Sequence, residues 1–139
     1  MIPAHAVVGY LQTHGYPNAD AAMTGITGTG RTYWSVTSRS AEHAGDDLLA
    51  DWIEDTRRAA VRRQAALGVL VTPRADYGTG RVASWWAHLD MGTLARTVRG
   101  RLALPVEVSS GTARMSLSMA ALLTRAAGHG TPLRTEVEA

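Results

Sequence analysis

Apolar positions recur along this chain with two periods, and they divide it into short helices and strands. Ala4, Val7, Val8 and Leu11 fall at the i, i+3, i+4, i+7 spacing of an amphipathic helix over residues 4–14. His14-Gly15-Tyr16-Pro17 closes it, with glycine just past the last turn and proline beyond. Residues 18–24 read as irregular or as a short extension of the hairpin that follows. In that hairpin Ile26 and Thr27 lead in, Gly28-Thr29-Gly30 turns, and Tyr33 to Thr37 returns. The period there is two: Tyr33, Ser35, Thr37 and Arg39 share one face, Trp34 and Val36 the other. After a polar loop from Ser38 to Gly45, the helical period resumes over residues 47–66. Its stripe is Leu48, Leu49, Trp52, Ile53, Thr56, Ala59 and Ala60, and Asp46 and Asp47 stand where an acidic cap belongs.

The second half is less periodic. Leu67-Gly68-Val69-Leu70-Val71-Thr72 is a continuous apolar run between glycine and proline, the pattern of a buried central strand. Pro73 to Arg81 is a turn-rich loop and Val82 to Leu89 a strand. Met91 to Val98 reads as a two-turn helix, and Leu102 to Val108 as an edge strand because of Pro105. Ser116 caps a last helix, Leu117 to Ala127, with stripe Met119, Ala120, Leu123 and Ala127, and Gly128 ends it. The order is helix, hairpin, helix, strand, strand, helix, edge strand, helix. It predicts an α/β domain, a mixed β-sheet flanked by helices, over residues 1–133 with a flexible tail at 134–139.

A chain of 139 residues can bury a real core as one domain. Cysteine is absent, which removes disulfides, thiolate chemistry and cysteine-type zinc sites. No stretch of 18 apolar residues suits a membrane span, and Met1 to His5 does not resemble a secretory leader. The expected locations are cytoplasm or virion. All 14 basic residues are arginine, and lysine-based catalysis is thereby excluded. A GC-rich genome accounts for that bias, and a net charge of +2 does not by itself argue for nucleic acid.

Candidate chemistry is sparse. His5, His14, His43, His88 and His129 form no His-x-x-x-His or His-Glu-x-x-His pair. Ser35 has no evident His and Asp partners. Arg57, Arg58, Arg62 and Arg63 lie on or beside one helix face. There Glu54 and Arg58 are placed for i,i+4 pairing. A solvated face is the plain reading of this group, and a DNA-facing patch with Arg31 and Arg39 the sharper one. The four tryptophans read as core or interface.

Several short pieces, in order, carry a resemblance. They are His14-Gly15-Tyr16-Pro17, Ile26-Thr27-Gly28-Thr29, Trp34-x-Val36, Leu49-Ala50-x-Trp52-Ile53-x-x-Thr56, Leu67 to Val71, Trp85-Trp86-Ala87-His88-Leu89 and Leu122 to Leu133. Together they resemble the Holliday junction resolvase-like proteins of actinobacterial phages and mobile elements, within the PD-(D/E)xK nuclease superfamily. The resemblance implies a restriction-endonuclease-like core. It also implies an active site in which an Asp before the Ile-Thr-Gly turn and a Glu-x-Lys on the next strand gather Mg²⁺ to cut a phosphodiester.

This chain departs from that pattern at each catalytic position. Gly25 stands at the Asp position, Ser35 at the Glu position and Thr37 at the Lys position, and residues 25–40 contain no acidic side chain. The expectation is therefore a catalytically degenerate relative with no cofactor. It would act as a DNA-binding module or as a phage head–tail component, as a homo-oligomer and away from membranes. The DNA-binding candidates are Arg31, Arg39, Arg57, Arg58, Arg62 and Arg63. The alternative is an active Mg²⁺-dependent junction endonuclease whose carboxylates, Asp46, Asp47 or Glu54, have been rearranged.

Overall fold

A computed structural model describes residues 3–22, 25–90 and 112–131. Its elements, in chain order, are α1 (Pro3–Gln12), β1 (Asp20–Ala22), β2 (Gly25–Thr27), β3 (Thr32–Val36), α2 (Ala41–Ala44) and α3 (Asp46–Arg62). These are followed by β4 (Leu67–Thr72), a 3-10 helix (Thr79–Ser84), β5 (Trp86–Asp90), β6 (Thr112–Ser116) and α4 (Leu117–Ala126). The six strands form one sheet in sequence order. All neighbours are antiparallel except β3 and β4, which run parallel because α3 carries the chain back between them. The mixed α/β sheet flanked by helices is thus observed.

Alternation along each strand sorts side chains onto two faces. One face carries Ile26, Trp34, Val69, Val71, Ala87 and Leu89. Val7, Val8 and Leu11 of α1 and Leu117, Ala120 and Ala121 of α4 close over it in a single apolar cluster. Pro3 opens α1, where a missing amide N–H costs nothing. A hydroxyl network sits within this layer. The Thr124 hydroxyl donates to the Ala121 carbonyl, so Tyr16 Oη, 2.5 Å from Thr124 Oγ1, is the donor of that pair. Thr32 Oγ1 lies 2.5 Å from His129 Nδ1 in the same buried region. The loops that follow α1 and α4 also meet, because the Thr131 N–H donates to the Gly15 carbonyl at 2.7 Å.

The other face carries Tyr33, Ser35, Gly68, Leu70, Thr72, Trp86, His88 and Arg114, and α3 packs over β3 and β4. Contact is close where Gly68 faces α3. A Cβ there would stand 3.0 Å from the Thr56 carbonyl and 3.1 Å from Ala60 Cβ. Glycine at 68 therefore sets the depth to which the helix sinks onto the sheet.

Several boundaries differ from the sequence reading. Residues 20–22 form β1, an extension of the hairpin held by the Asp20–Thr27, Ala21–Ile26 and Ala22–Gly25 pairs. Part of the Ser38–Gly45 loop winds into the single turn of α2. Helix α3 starts at Asp46 and ends at Arg62, earlier than residue 66, because Gln64 takes φ 59° and the Ala65 N–H turns back to the Ala60 carbonyl. Asp46 and Asp47 lie inside the first turn and do not cap it. In the α3 stripe only Thr56, Ala59 and Ala60 are buried, while Leu48, Leu49, Trp52 and Ile53 are half-buried. The strand expected from Val82 begins at Trp86 instead. The Trp85 indole donates to the Tyr77 carbonyl at 2.9 Å and holds the preceding residues in a 3-10 helix.

Strand β6 had no counterpart in the sequence reading. Ser116 caps α4 as expected, accepting from the Met119 N–H at 3.2 Å. The buried stripe is Leu117, Ala120, Ala121 and Thr124, with Ala127 just beyond the helix, and Met119 points outward. The helix expected over 91–98, the edge strand over 102–108 and the tail at 134–139 lie outside the described residues.

Candidate functional site

The hairpin face named by the sequence is built by β2, β3 and the residue after β3. The Ile26–Trp34 pair places Gly25 beside Ser35. Ser35 and Thr37 follow on the same face, and with Tyr33, Trp52, Asp55 and Arg62 they line a cleft of about 260 Å³ under α3. The structure therefore brings Gly25, Ser35 and Thr37 to one surface, as the sequence placed them. Chemically the surface is poor in charge. The Thr37 hydroxyl donates to the Arg39 carbonyl at 2.8 Å and is spent on its own loop. Asp55 is the one carboxylate among the residues lining this cleft.

At Gly25 the space is already taken. Its φ is 143°, a backbone setting that side-chain-bearing residues rarely adopt, and a Cβ there would collide with Tyr33 Oη. Arg63 stacks on the Tyr33 ring with its guanidinium carbon 4.7 Å from the centroid, so the ring is held from above. A carboxylate at position 25 would need both a changed backbone and a displaced tyrosine.

The alternative carboxylates are dispersed. Asp46, Glu54, His88 and Asp90 line a larger cleft of about 760 Å³ between α3 and the β4–β5 part of the sheet. Glu54 is engaged by Arg57 at 2.6 Å and by Arg58 at 3.3 Å, and hydrogen bonding from Arg57 holds its carboxyl below the usual range. Among the described residues no three His, Asp or Glu side chains come together closely enough to hold a metal ion. His88 is buried and sits 2.9 Å from Thr72 Oγ1 through Nε2. Burial, helped by nearby Arg114 and opposed by Glu42, pushes its pKa down to about 4, so it is neutral at pH 7.

The six candidate arginines do not form one patch. Arg57 and Arg58 share Glu54, Arg63 lies on Tyr33, and Arg62 lines the small cleft. Arg31 lines the large cleft, and its carbonyl receives the Ala66 and Leu67 N–H groups. Arg39 is exposed in the loop after β3. No family model, curated protein or solved structure matches this chain.

Among the described residues, one concentration of basic and aromatic groups was missed in the sequence. Arg81 and Arg74 both lie over the Tyr77 ring, at 4.5 and 4.4 Å from its centroid. Arg74 and Arg114 both lie over the Trp86 ring, at 4.1 and 4.2 Å. Arginine and aromatic rings thus alternate from the 3-10 helix, through the β4–β5 connection, to β6. Glu42 of α2 accepts the Trp86 indole N–H at 3.0 Å and the Ala75 N–H at 3.4 Å, which fixes the ring. The one available signal was Arg74 and Arg81 flanking Tyr77; Trp86 and Arg114 join them only through the pairing of β5 with β6. Among the described residues, no helix is long and apolar enough to cross a membrane.

Proposed function

We propose that this protein keeps a resolvase-like scaffold, of phage or mobile-element origin, without its cutting chemistry and serves as a DNA-binding module. The observation that carries this reading is at the hairpin: the Tyr33 hydroxyl fills the space above Gly25. Ser35 and Thr37 complete the same face with hydroxyls where metal-assisted hydrolysis needs carboxylates and a lysine. Hydroxyl oxygens bind Mg²⁺ too weakly to assemble such a centre alone. Most arginines among the described residues, by contrast, are exposed.

The test is incubation of the full chain with labelled four-way junctions in Mg²⁺ and in Mn²⁺, alongside a gel shift at low salt. A shift without cleavage is the expected result. Turnover abolished by Asp46→Ala or Asp47→Ala would overturn the reading in favour of a rearranged nuclease. Absence of any shift, with co-purification in virus particles, would replace it with a head–tail structural role.

A further inference from the structure

We infer that the alternating stack Arg81–Tyr77–Arg74–Trp86–Arg114 is the surface on which the protein holds the phosphodiester backbone of DNA. This rests on the DNA-binding reading above and assigns it to residues outside the α3 arginine group. Arg74 lies over both Tyr77 and Trp86, at 4.4 and 4.1 Å from their centroids, so its guanidinium is held against two rings. A guanidinium stacked in this way keeps its N–H groups in the plane, directed away from the rings, where a bidentate pair with a phosphate is made. Of the Arg74 donors, one reaches the Ser84 carbonyl at the long distance of 3.4 Å. Stacking removes much of the side-chain freedom that binding a phosphate would otherwise cost.

Charge points the same way. Among the described residues, Arg74, Arg81 and Arg114 make no ion pair within 4 Å, whereas Arg57 and Arg58 share Glu54. Glu42 accepts from the Trp86 indole and the Ala75 amide, and the charge of Arg74 helps to hold its carboxyl below the ordinary range without a direct ion pair. His88, beside Arg114, is neutral at pH 7 and does not alter the balance.

Geometry then selects the kind of contact. Tyr77 has Arg74 and Arg81 against it, and Trp86 has Arg74 and Arg114. The rings are used by arginine and do not serve as platforms for unstacked bases. What the stack presents is a run of neighbouring guanidiniums that share rings, Arg81 and Arg74 on Tyr77 and Arg74 and Arg114 on Trp86. Closely neighbouring guanidiniums suit a regular polyanion, read without regard to sequence.

The experiment is fluorescence anisotropy of the full-length protein with labelled single-stranded, duplex and four-way-junction DNA over about 50 to about 200 mM KCl. Arg74→Ala with Arg114→Ala is expected to weaken binding about tenfold or more. The slope of log affinity against log salt should shrink by about 1 for each arginine lost. Arg57→Ala with Arg58→Ala should leave that slope unchanged. Arg74→Lys with Arg114→Lys, which keeps charge but not the planar fork, should retain most of the slope and lose affinity. Where the alanine pair fails to fold by circular dichroism, this lysine pair and the exposed Arg81→Ala carry the test.

Wild-type affinity in the folded ladder variants would overturn the assignment and leave the DNA-binding reading standing. No binding of any of the three DNAs at low salt would overturn both. Binding of poly-glutamate that depends on Arg74 and Arg114, without DNA binding, would reassign the surface to an acidic polypeptide.

Discussion

The two faces of the sheet are built on opposite terms. On the face toward α1 and α4, Trp34, Val69, Val71 and Leu89 are fully or almost fully buried among aliphatic neighbours. Tyr16, Thr32, Thr124 and His129 are drawn into paired contacts within the layer, while the Trp34 indole N–H finds no acceptor among the described residues. On the face toward α3 the buried Leu70 stands among Tyr33, Ser35, Gly68, Thr72, His88, Trp86 and Arg114, and the covering helix has buried side chains at only Thr56, Ala59 and Ala60. The first face accounts for most of the apolar burial. The second holds the degenerate hairpin positions, the clefts of about 760 and 260 Å³ and one end of the arginine stack. Stability and candidate function are thereby separated across one sheet, and tryptophan provides a matched probe of the two sides.

Trp34→Ala should cost about 3–5 kcal/mol, since the ring is wholly buried and its loss leaves a cavity lined by rigid neighbours. Trp86→Ala should cost clearly less, because that ring is half-buried and packed against surface guanidiniums that water can reach. Urea unfolding of both variants measures the contrast. Equal losses would show that the α3 face is as much a core as the other.

The second effect is pH-dependent and belongs to the α3 face. In the unfolded chain His88 binds a proton near pH 6.5; in the folded protein it does not until about pH 4. Between those values the unfolded state holds more protons, so stability falls as pH drops through the window and is unaffected above it. The full shift corresponds to about 3 kcal/mol. Urea midpoints at pH 7 and pH 4 should differ more in the wild type than in His88→Gln, whose side chain can still meet Thr72. A parallel pH response in both proteins would remove His88 as the cause. Glu42, whose carboxyl is held below its ordinary range, against an opposing burial effect, by its own backbone amide, the Trp86 indole, the Ala75 amide and the charge of Arg74, loses its contribution as pH falls below 4.5.

What the sequence showed follows the same division. The hairpin was readable because its glycine turn and alternating Tyr33-Trp34-Ser35-Val36 run are local signals. Leu67 to Thr72 was readable because a strand buried on both faces is apolar throughout. Ser116 announced α4 through its own side chain. Strand β6 was not readable: Thr-Ala-Arg-Met-Ser has little β-branched character, and its strand state depends on pairing with β5. Trp85 suggested a strand by type, yet its indole is fastened to Tyr77 and it ends a 3-10 helix. At the site, the loss of carboxylate at Gly25, Ser35 and Thr37 was visible in the letters, but the Tyr33 hydroxyl filling the gap was not. The ladder was least visible, since its members come from three separate segments and meet only through the fold.

The smallest effect on stability is also the sharpest test of which basic surface acts. Glu54 is part-exposed and pairs with two exposed arginines, so Glu54→Gln should leave the unfolding midpoint nearly unchanged. It frees Arg57 and Arg58 from their carboxylate at no cost to the fold. If the α3 arginines were the DNA-facing group, this substitution would raise affinity and steepen the salt dependence, because two guanidiniums would become available to phosphate. With DNA held on Arg74, Arg81 and Arg114, the anisotropy titration of Glu54→Gln should overlay the wild type apart from a weak long-range gain that vanishes as salt rises. A steeper slope persisting at high salt would move the interface from the ladder back to α3.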